Sequence, residues 1–415
     1  MMRKKFNTPW YWGWNVLVFS VLVQGFTFGL LFSSFALWVA PWMEAFDGSR
    51  AEIMFAIMFA QIGGAIASPF VGQALDRFPT RIVMSGGVAA FACGAVLLTF
   101  TTALWQISAI YLVFMALGMT MAGPMGSQAL ATRWFQANRG LAIGIATTGT
   151  AVGGATMPLL SAWLLEGYGW QTTHLVVASV AILVVVPLAM LIIKTTPDEA
   201  GVDIEPASFT STGEAVQAET EEWTLARIFR ERNLWVTIIA FISPMIVISG
   251  FMANMASYGA DAGISARRAA TLISALSLAM FFSKLVFGSL ADRFDHRILY
   301  GVGMAMIVSS LGLLTDTHGY TALVAIIILM GAGIGSMLPL VGAIVSTSFD
   351  TRAFGRVLGL VYMTFSFAAV GAPLAGAIRD QTGSYNGFLY FSMVIIAIST
   401  VSIFWLRVQP KQVSD

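Results

Sequence analysis

One lysine stands alone inside a long apolar stretch: Lys284, in Met280-Phe-Phe-Ser283-Lys284-Leu-Val-Phe-Gly288. No Asp or Glu lies deep in any apolar run of the chain, so nothing in the sequence supplies an obvious counter-charge at that depth. An unmatched ammonium group is suited to holding a carboxylate. Read the other way, it is a structural group held by backbone carbonyls and amides. Lys284 lies eight residues before Asp292, about 12 Å along a helix that rises ~1.5 Å per residue. At that depth in a bilayer a lysine costs roughly 2.5–3.5 kcal/mol on insertion scales, which makes it a functional candidate by default. Ser277 and Gly288 share its helical face at i−7 and i+4, so a small, polar face is expected to look into a central cavity. Other polar residues within apolar runs are candidate substrate contacts: Gln24, Gln61, Gln128, Asn254, Tyr258 and Tyr362. An amide buried in lipid must find a partner, which can be a substrate oxygen or a neighbouring helix.

A second constellation is charged. Gly72-x-x-x-Asp76-Arg77-Phe78-x-x-Arg81 recurs as Gly288-x-x-x-Asp292-Arg293-Phe294-x-x-Arg297, an offset of 216. Each aspartate closes an apolar run. A carboxylate at a helix C-terminus opposes the helix dipole unless it finds a positive partner. Arg133, Arg139, Arg352 and Arg356 are expected on the same membrane face as these acids.

The elements that must carry these groups follow from the charge distribution. Of 415 residues, 57% are hydrophobic and 10% charged, against about 25% charged in a soluble domain. Uncharged runs occupy Lys5–Glu44, Glu52–Asp76, Arg81–Arg133, Arg139–Glu166, Glu166–Lys194, Arg232–Asp261, Arg297–Asp316, Asp316–Asp350, Arg356–Arg379 and Asp380–Arg407, and Arg268–Asp292 holds only Lys284. A helix needs roughly 20 apolar residues to cross ~30 Å of hydrocarbon. The run from Arg81 to Arg133 is 51 residues and serves for two crossings, which gives twelve spans. With the N-terminus in the cytoplasm, 17 basic residues fall on the inner side and 4 on the outer, and Lys284 lies between. The positive-inside rule then sets both termini in the cytoplasm. The first span is read as a retained helix and not a signal peptide.

Residues 195–222 hold eight acids and no Lys or Arg, and read as a cytoplasmic linker. Trp223 to Asn233 mixes Leu225, Ile228 and Phe229 with Arg227, Arg230 and Arg232, the pattern of a short helix on the membrane surface. The linker divides the spans six and six, into a bundle at 1–194, a linker with interfacial helix at 195–232, and a bundle at 233–415. The halves repeat. Ser49 matches Ser265 at offset 216, Gly118 and Pro124 match Gly333 and Pro339 at 215, and Gly140, Gly144 and Pro158 match Gly355, Gly359 and Pro373 at 215. The expected fold is all-α: twelve transmembrane helices in two pseudo-symmetric six-helix bundles, related by an axis along the membrane normal, with the solute site at the repeat interface.

The paired loops after spans 2 and 8 resemble the signature of the major facilitator superfamily, over essentially the whole chain. Pro79 and Asp295 stand where that family usually has glycine. Trp12-Gly13-Trp14, Gly48-Ser49-Arg50-Ala51-Glu52, Trp134-Phe135 and Arg139-Gly140-Leu141-Ala142-x-Gly144 together are similar to the monocarboxylate porters and bacterial oxalate–formate exchangers. That resemblance implies a secondary transporter of small organic anions such as lactate, pyruvate or formate, with a proton or counter-anion as co-substrate. It implies a substrate role for Lys284, which occupies the family's basic position in span 8, and a gating role for Asp76, Arg77, Arg81, Asp292, Arg293 and Arg297, with Arg133 and Arg139 beside them. Met280 stands where vertebrate porters have an acid, and span 11 offers Tyr362, Thr364 and Ser366 but no cation. One charge fits a monoanion. The alternative is a transporter of a drug or sugar in which Lys284 is structural.

Nothing points to an enzyme or a bound cofactor. There is no nucleotide loop or cluster of His or Cys, and a net charge of +1 offers nothing to nucleic acid. The expected setting is the plasma (inner) membrane, as a monomer in the lipid bilayer. Trp38, Trp42, Trp105, Trp170 and Trp405 fall near span ends and are expected to anchor at the membrane interface. His174 is expected at the outer end of span 6.

Overall fold

The computed structural model describes residues 11–48, 50–136, 138–201, 223–261, 266–316, 319–350 and 353–406. Most of the acidic linker lies outside the described residues. Among the described residues there is no strand. Eleven helices among the described residues are long and apolar enough to cross a membrane. One of them, Arg139–Ile192, has 54 residues, about 80 Å at 1.5 Å per residue and far beyond one bilayer. It breaks at Gly169, where φ 77° and ψ 171° take the backbone out of the helix in a conformation that favours glycine. Counting it as spans 5 and 6 gives the expected twelve. The others are span 1 (Gly13–Ser33), span 2 (Glu52–Arg77), span 3 (Thr80–Leu98), span 4 (Leu104–Trp134), span 7 (Arg232–Met252), span 8 (Ser274–Ala291), span 9 (His296–Leu313), span 10 (Tyr320–Ser348), span 11 (Phe354–Arg379) and span 12 (Asn386–Ile403).

The chain forms two compact units. The first holds Met1–Glu222 together with Phe349–Met363, and the second holds Trp223–Ser348 and Thr364–Gln412. The division therefore falls inside span 11. There the α-helix Phe354–Thr364 gives way to a 3₁₀ segment, Phe365–Val370, before α-helix resumes at Gly371–Thr382. A 3₁₀ stretch within a helix weakens its hydrogen bonding and commonly marks a hinge.

In the first unit, spans 1 and 5 meet backbone to backbone. A Cβ added to Gly153 would lie 2.0 Å from the Gly25 carbonyl oxygen. Only small residues permit such an approach, and in lipid it replaces the hydrophobic drive as the source of packing energy. In the second unit, Gly331-x-x-x-Gly335 of span 10 lies against span 8, where added Cβ atoms would sit 2.6 Å from the carbonyl oxygens of Leu276 and Met280.

The tryptophans divide. Trp105 and Trp405 are 69% and 61% exposed, as interfacial anchors should be. Trp38, Trp42 and Trp170 correct the expectation, being only 2%, 0% and 8% exposed. Their rings pack around His174, with centroids 4.6, 6.1 and 6.1 Å away. The imidazole is bonded through Nδ1 to the Trp170 carbonyl at 2.7 Å. Closeness to a span end does not say which face of the helix a side chain takes, and these three face inward.

Gly153→Leu should abolish the spans 1–5 contact and leave little monodisperse protein on size exclusion. Gly301→Ala, at a helix position with open space around it, should be tolerated and gain up to about 1 kcal/mol from helix propensity. Equal yields from the two variants would contradict the packing described.

Candidate functional site

Span 8 positions Lys284. Its outward stripe is Leu278, Phe282 and Val286, 60%, 56% and 52% exposed. At 100° per residue Lys284 lies roughly 160° around from Phe282 and Val286, and it is 2% exposed. The ammonium is thus enclosed by protein and turned from the exposed stripe of its helix. The neighbouring Ser283 is 5% exposed and its hydroxyl donates to the Ala332 carbonyl of span 10. Of the residues expected on the Lys284 face, Gly288 is buried and Ser277 is exposed.

The amides take up separate positions. Gln24 is wholly buried. With its amide oriented to satisfy its surroundings, the nitrogen donates to the Ala146 carbonyl (2.7 Å) and to Ser127 Oγ (3.1 Å), and the oxygen accepts from the Thr150 N–H at 3.1 Å. These bonds knit span 1 to spans 4 and 5. Gln61 is half-buried on span 2. Gln128 is wholly buried on span 4 and donates to the Tyr362 hydroxyl at 3.1 Å. In the second unit, Asn254 donates to the Gly250 carbonyl at 2.9 Å, and its oxygen accepts from the Tyr385 hydroxyl at 3.4 Å. The Tyr258 side chain lies outside the described residues. The pairings of Gln128 with Tyr362 and of Asn254 with Tyr385 join residues 234 and 131 positions apart. No local pattern could have announced them.

The charged constellation of the first repeat is built around Asp76. Its side chain is 3% exposed. Oδ1 accepts from the Gly355 N–H at 2.8 Å and Oδ2 from the Arg356 N–H at 2.9 Å, with Arg356 Nε 3.7 Å away. The carboxylate therefore caps the N-terminus of span 11, where unbonded amides and the helix dipole favour a negative charge. The positive partner that this acid requires is a helix end together with an arginine. The repeat glycines make the contact possible: a Cβ on Gly72 would lie 2.1 Å from the Gly355 carbonyl, and one on Gly359 would lie 2.4 Å from the Ser68 carbonyl. Three levels of contact thus hold the start of span 11 within the first unit, with Asp76 at the end, Gly359 against span 2, and Gln128–Tyr362 deepest.

Arg133 closes the same corner. Its guanidinium donates to Thr80 Oγ1 at 2.8 Å and to the Leu75 carbonyl. Arg81 lies 3.6 Å from Glu199, which also accepts from the Thr195 N–H at 3.1 Å. Arg139 Nε reaches the Phe135 carbonyl at 3.5 Å. Arg77 is exposed. Glu199 and Thr80 are partners that the sequence pattern did not single out. In the second repeat Asp292 is half-buried and Arg293 exposed. Arg297 pairs with Asp295 at 2.7 Å, and Asp295 Oδ1 also accepts from the Arg297 N–H at 2.8 Å, capping span 9. The Arg297 side-chain bond, foremost, holds the Asp295 carboxyl below its ordinary range. That stabilisation is complete above the ordinary carboxylate pKa and is lost as pH falls through the lowered one. Pro79 holds the corresponding place before span 3. Both departures from glycine therefore stand at helix starts.

No cluster of His, Cys, Asp or Glu suited to a metal occurs among the described residues. The arrangement offers one enclosed ammonium group and a carboxylate-capped helix end.

Asp76→Asn should keep the shape and lose the charge. In a Cys93→Ala background, a cysteine placed at Thr364 should react about fivefold faster with a maleimide applied from the Asp76 side, the factor expected from ~1 kcal/mol of cap and dipole energy. An unchanged rate would show that the carboxylate does not hold span 11.

The family model described as the Major Facilitator Superfamily matches residues 17–283 and 252–415. Monocarboxylate transporter 13 of Rattus norvegicus is 25% identical over 94% of this chain and 88% of its own length. An uncharacterised transporter of the same type from Bacillus subtilis, YcxA, is 24% identical over 96% of this chain and 95% of its own. Among solved structures, the proton:xylose symporter XylE is similar in fold with a TM-score of 0.75, at 15% identity, covering 96% of each chain.

Proposed function

The chain belongs to the Major Facilitator Superfamily, a family of membrane transporters, and on that premise we propose that it is a secondary active transporter of small organic monoanions, monocarboxylates such as lactate, pyruvate or formate. The observation that carries this reading is Lys284. A lysine 2% exposed, on the face of span 8 opposite its exposed apolar stripe, is a group whose charge hydrocarbon would penalise by several kcal/mol. A substrate carboxylate reaching it gains a charge-assisted hydrogen bond in a medium of low dielectric. Relatives named monocarboxylate transporters, similar over nearly the whole chain, support the same substrate class.

The substrate moves by alternating access through rocking of the two six-helix bundles. Asp76 with Gly355 and Arg356 forms the inner gate on the side of the arginines, and Arg77, Arg81, Arg133 and Arg139 line that face together with Asp292, Arg293 and Arg297. Gln128 and Tyr362 bond each other directly, so they become available to a substrate when that bond opens. Gln24 serves helix packing through its three bonds. Gln61, Asn254 and Tyr258 remain candidate contacts. A proton or counter-anion accompanies the substrate. The protein sits in the plasma (inner) membrane with both termini in the cytoplasm.

Uptake of labelled lactate, pyruvate, formate and oxalate into proteoliposomes should favour the monoanions. Lys284→Ala should lower that uptake at least tenfold at equal protein per vesicle, the factor for ~1.4 kcal/mol of lost charge-assisted bonding. Uptake unchanged by the substitution would make Lys284 structural and move the cargo to another class, such as a sugar or drug. Counter-transport with and without a pH gradient separates proton symport from exchange.

A further inference from the structure

The short helix ahead of span 7 exposes both apolar and basic groups at one place. Leu225–Arg230 is N-capped by Thr224, whose Oγ1 accepts from the Arg227 N–H at 3.3 Å. Ile228 is wholly buried and fixes the helix to the bundle. The rest of its apolar surface is uncovered, with Leu225 50%, Phe229 45% and Trp235 48% exposed. Trp235 bridges the helix to span 7: its indole Nε1 donates to the Phe229 carbonyl at 2.8 Å, and the two rings lie 6.2 Å apart. The Arg227 guanidinium sits 4.6 Å over the Trp223 ring. Arg230 and Arg232 are exposed, while Glu231 between them is half-buried, so the outward charge among the described residues of the patch is positive. Arg232 is also the first residue of span 7, which places the whole patch where the chain enters the membrane.

An uncovered Leu–Phe–Trp surface beside three guanidinium groups matches the boundary between acyl chains and headgroups, and fits neither water nor hydrocarbon alone. We propose that this patch is a binding surface for anionic phospholipid. Leu225, Phe229 and Trp235 enter the acyl layer, and Arg227, Arg230 and Arg232 hold headgroup phosphate. Guanidinium suits phosphate because its fork of N–H donors pairs two oxygens at once. The charge of the patch chooses the lipid, since a zwitterionic headgroup offers no net attraction. The residues just before Trp223 are acidic in sequence, so the test includes them as competitors for the arginines.

The test is a titration of the purified full chain in neutral detergent with phosphatidylglycerol and with phosphatidylcholine of the same acyl chains. The wild type should bind phosphatidylglycerol more tightly, and raised salt should weaken that binding alone. Arg230→Gln and Arg232→Gln should each lower phosphatidylglycerol affinity about fivefold, the ratio set by ~1 kcal/mol per basic residue at an anionic surface, and leave phosphatidylcholine unchanged. The salt dependence of the wild type stands by itself should a variant fail to fold. Equal affinities for the two lipids in the wild type, or an undiminished preference after both substitutions, overturns the proposal. So does a preference that emerges only when Glu219, Glu221 and Glu222 are changed to Gln, because the arginines would then be holding the acidic stretch and not lipid.

Discussion

A polar group inside a bilayer must find its partner within the protein, because hydrocarbon offers neither donors nor acceptors. The helices meet that demand for the backbone, and the side-chain contacts are what remains of it. Gln24 spends its amide on Ala146, Ser127 and Thr150. Serines and threonines inside the spans bond back to carbonyls three or four residues earlier, as Ser20, Thr147 and Ser310 do. Lys284 is a costly member of this set, since its side chain is almost wholly buried in an apolar run that carries no Asp or Glu. The same demand explains why a group of that kind is turned away from the exposed apolar stripe of its helix.

Small residues answer the second requirement, that helices in lipid attract each other through close packing. Spans 1 and 5, spans 2 and 11, and spans 8 and 10 each approach through glycines whose replacement would drive a Cβ onto a backbone oxygen. At spans 2 and 11 the two requirements coincide. The glycine contact between Gly72 and Gly355 brings the Asp76 carboxylate onto the first free amides of span 11, and the capped end then fixes the register of that contact. Packing and electrostatics there support one geometry.

The duplicated halves have diverged at functionally placed positions. Pro79 begins span 3 by constraining its own backbone, whereas Asp295 begins span 9 by accepting an N–H and pairing with Arg297. Span 11 begins as part of the first compact unit and continues as part of the second, with its helix loosened to 3₁₀ between the two. The i to i+3 bonding of that segment is poorer than that of the α-helix on either side of it.

Amino-acid order alone determined the membrane setting, the number of crossings, the duplication and the solitary charge. Each of these is a one-dimensional property: a run length that must match bilayer thickness, a repeated offset, an isolated residue type. Helix breaks at Gly169 and in span 11 left the count of crossings intact, since apolar length and not helical continuity decides it. Only the tertiary structure decided which face each side chain takes and which distant partner it meets. Trp42 and Trp105 both stand near span ends, yet one is enclosed by rings and the other exposed. Asp76 needed a positive partner by its place at a helix end, and besides the Arg356 side chain that partner is a backbone amide 279 residues away, where residue type leaves no mark. The assignment of residues 349–363 to the first unit has the same origin, since the contacts that make it join atoms the chain brings together only when it folds.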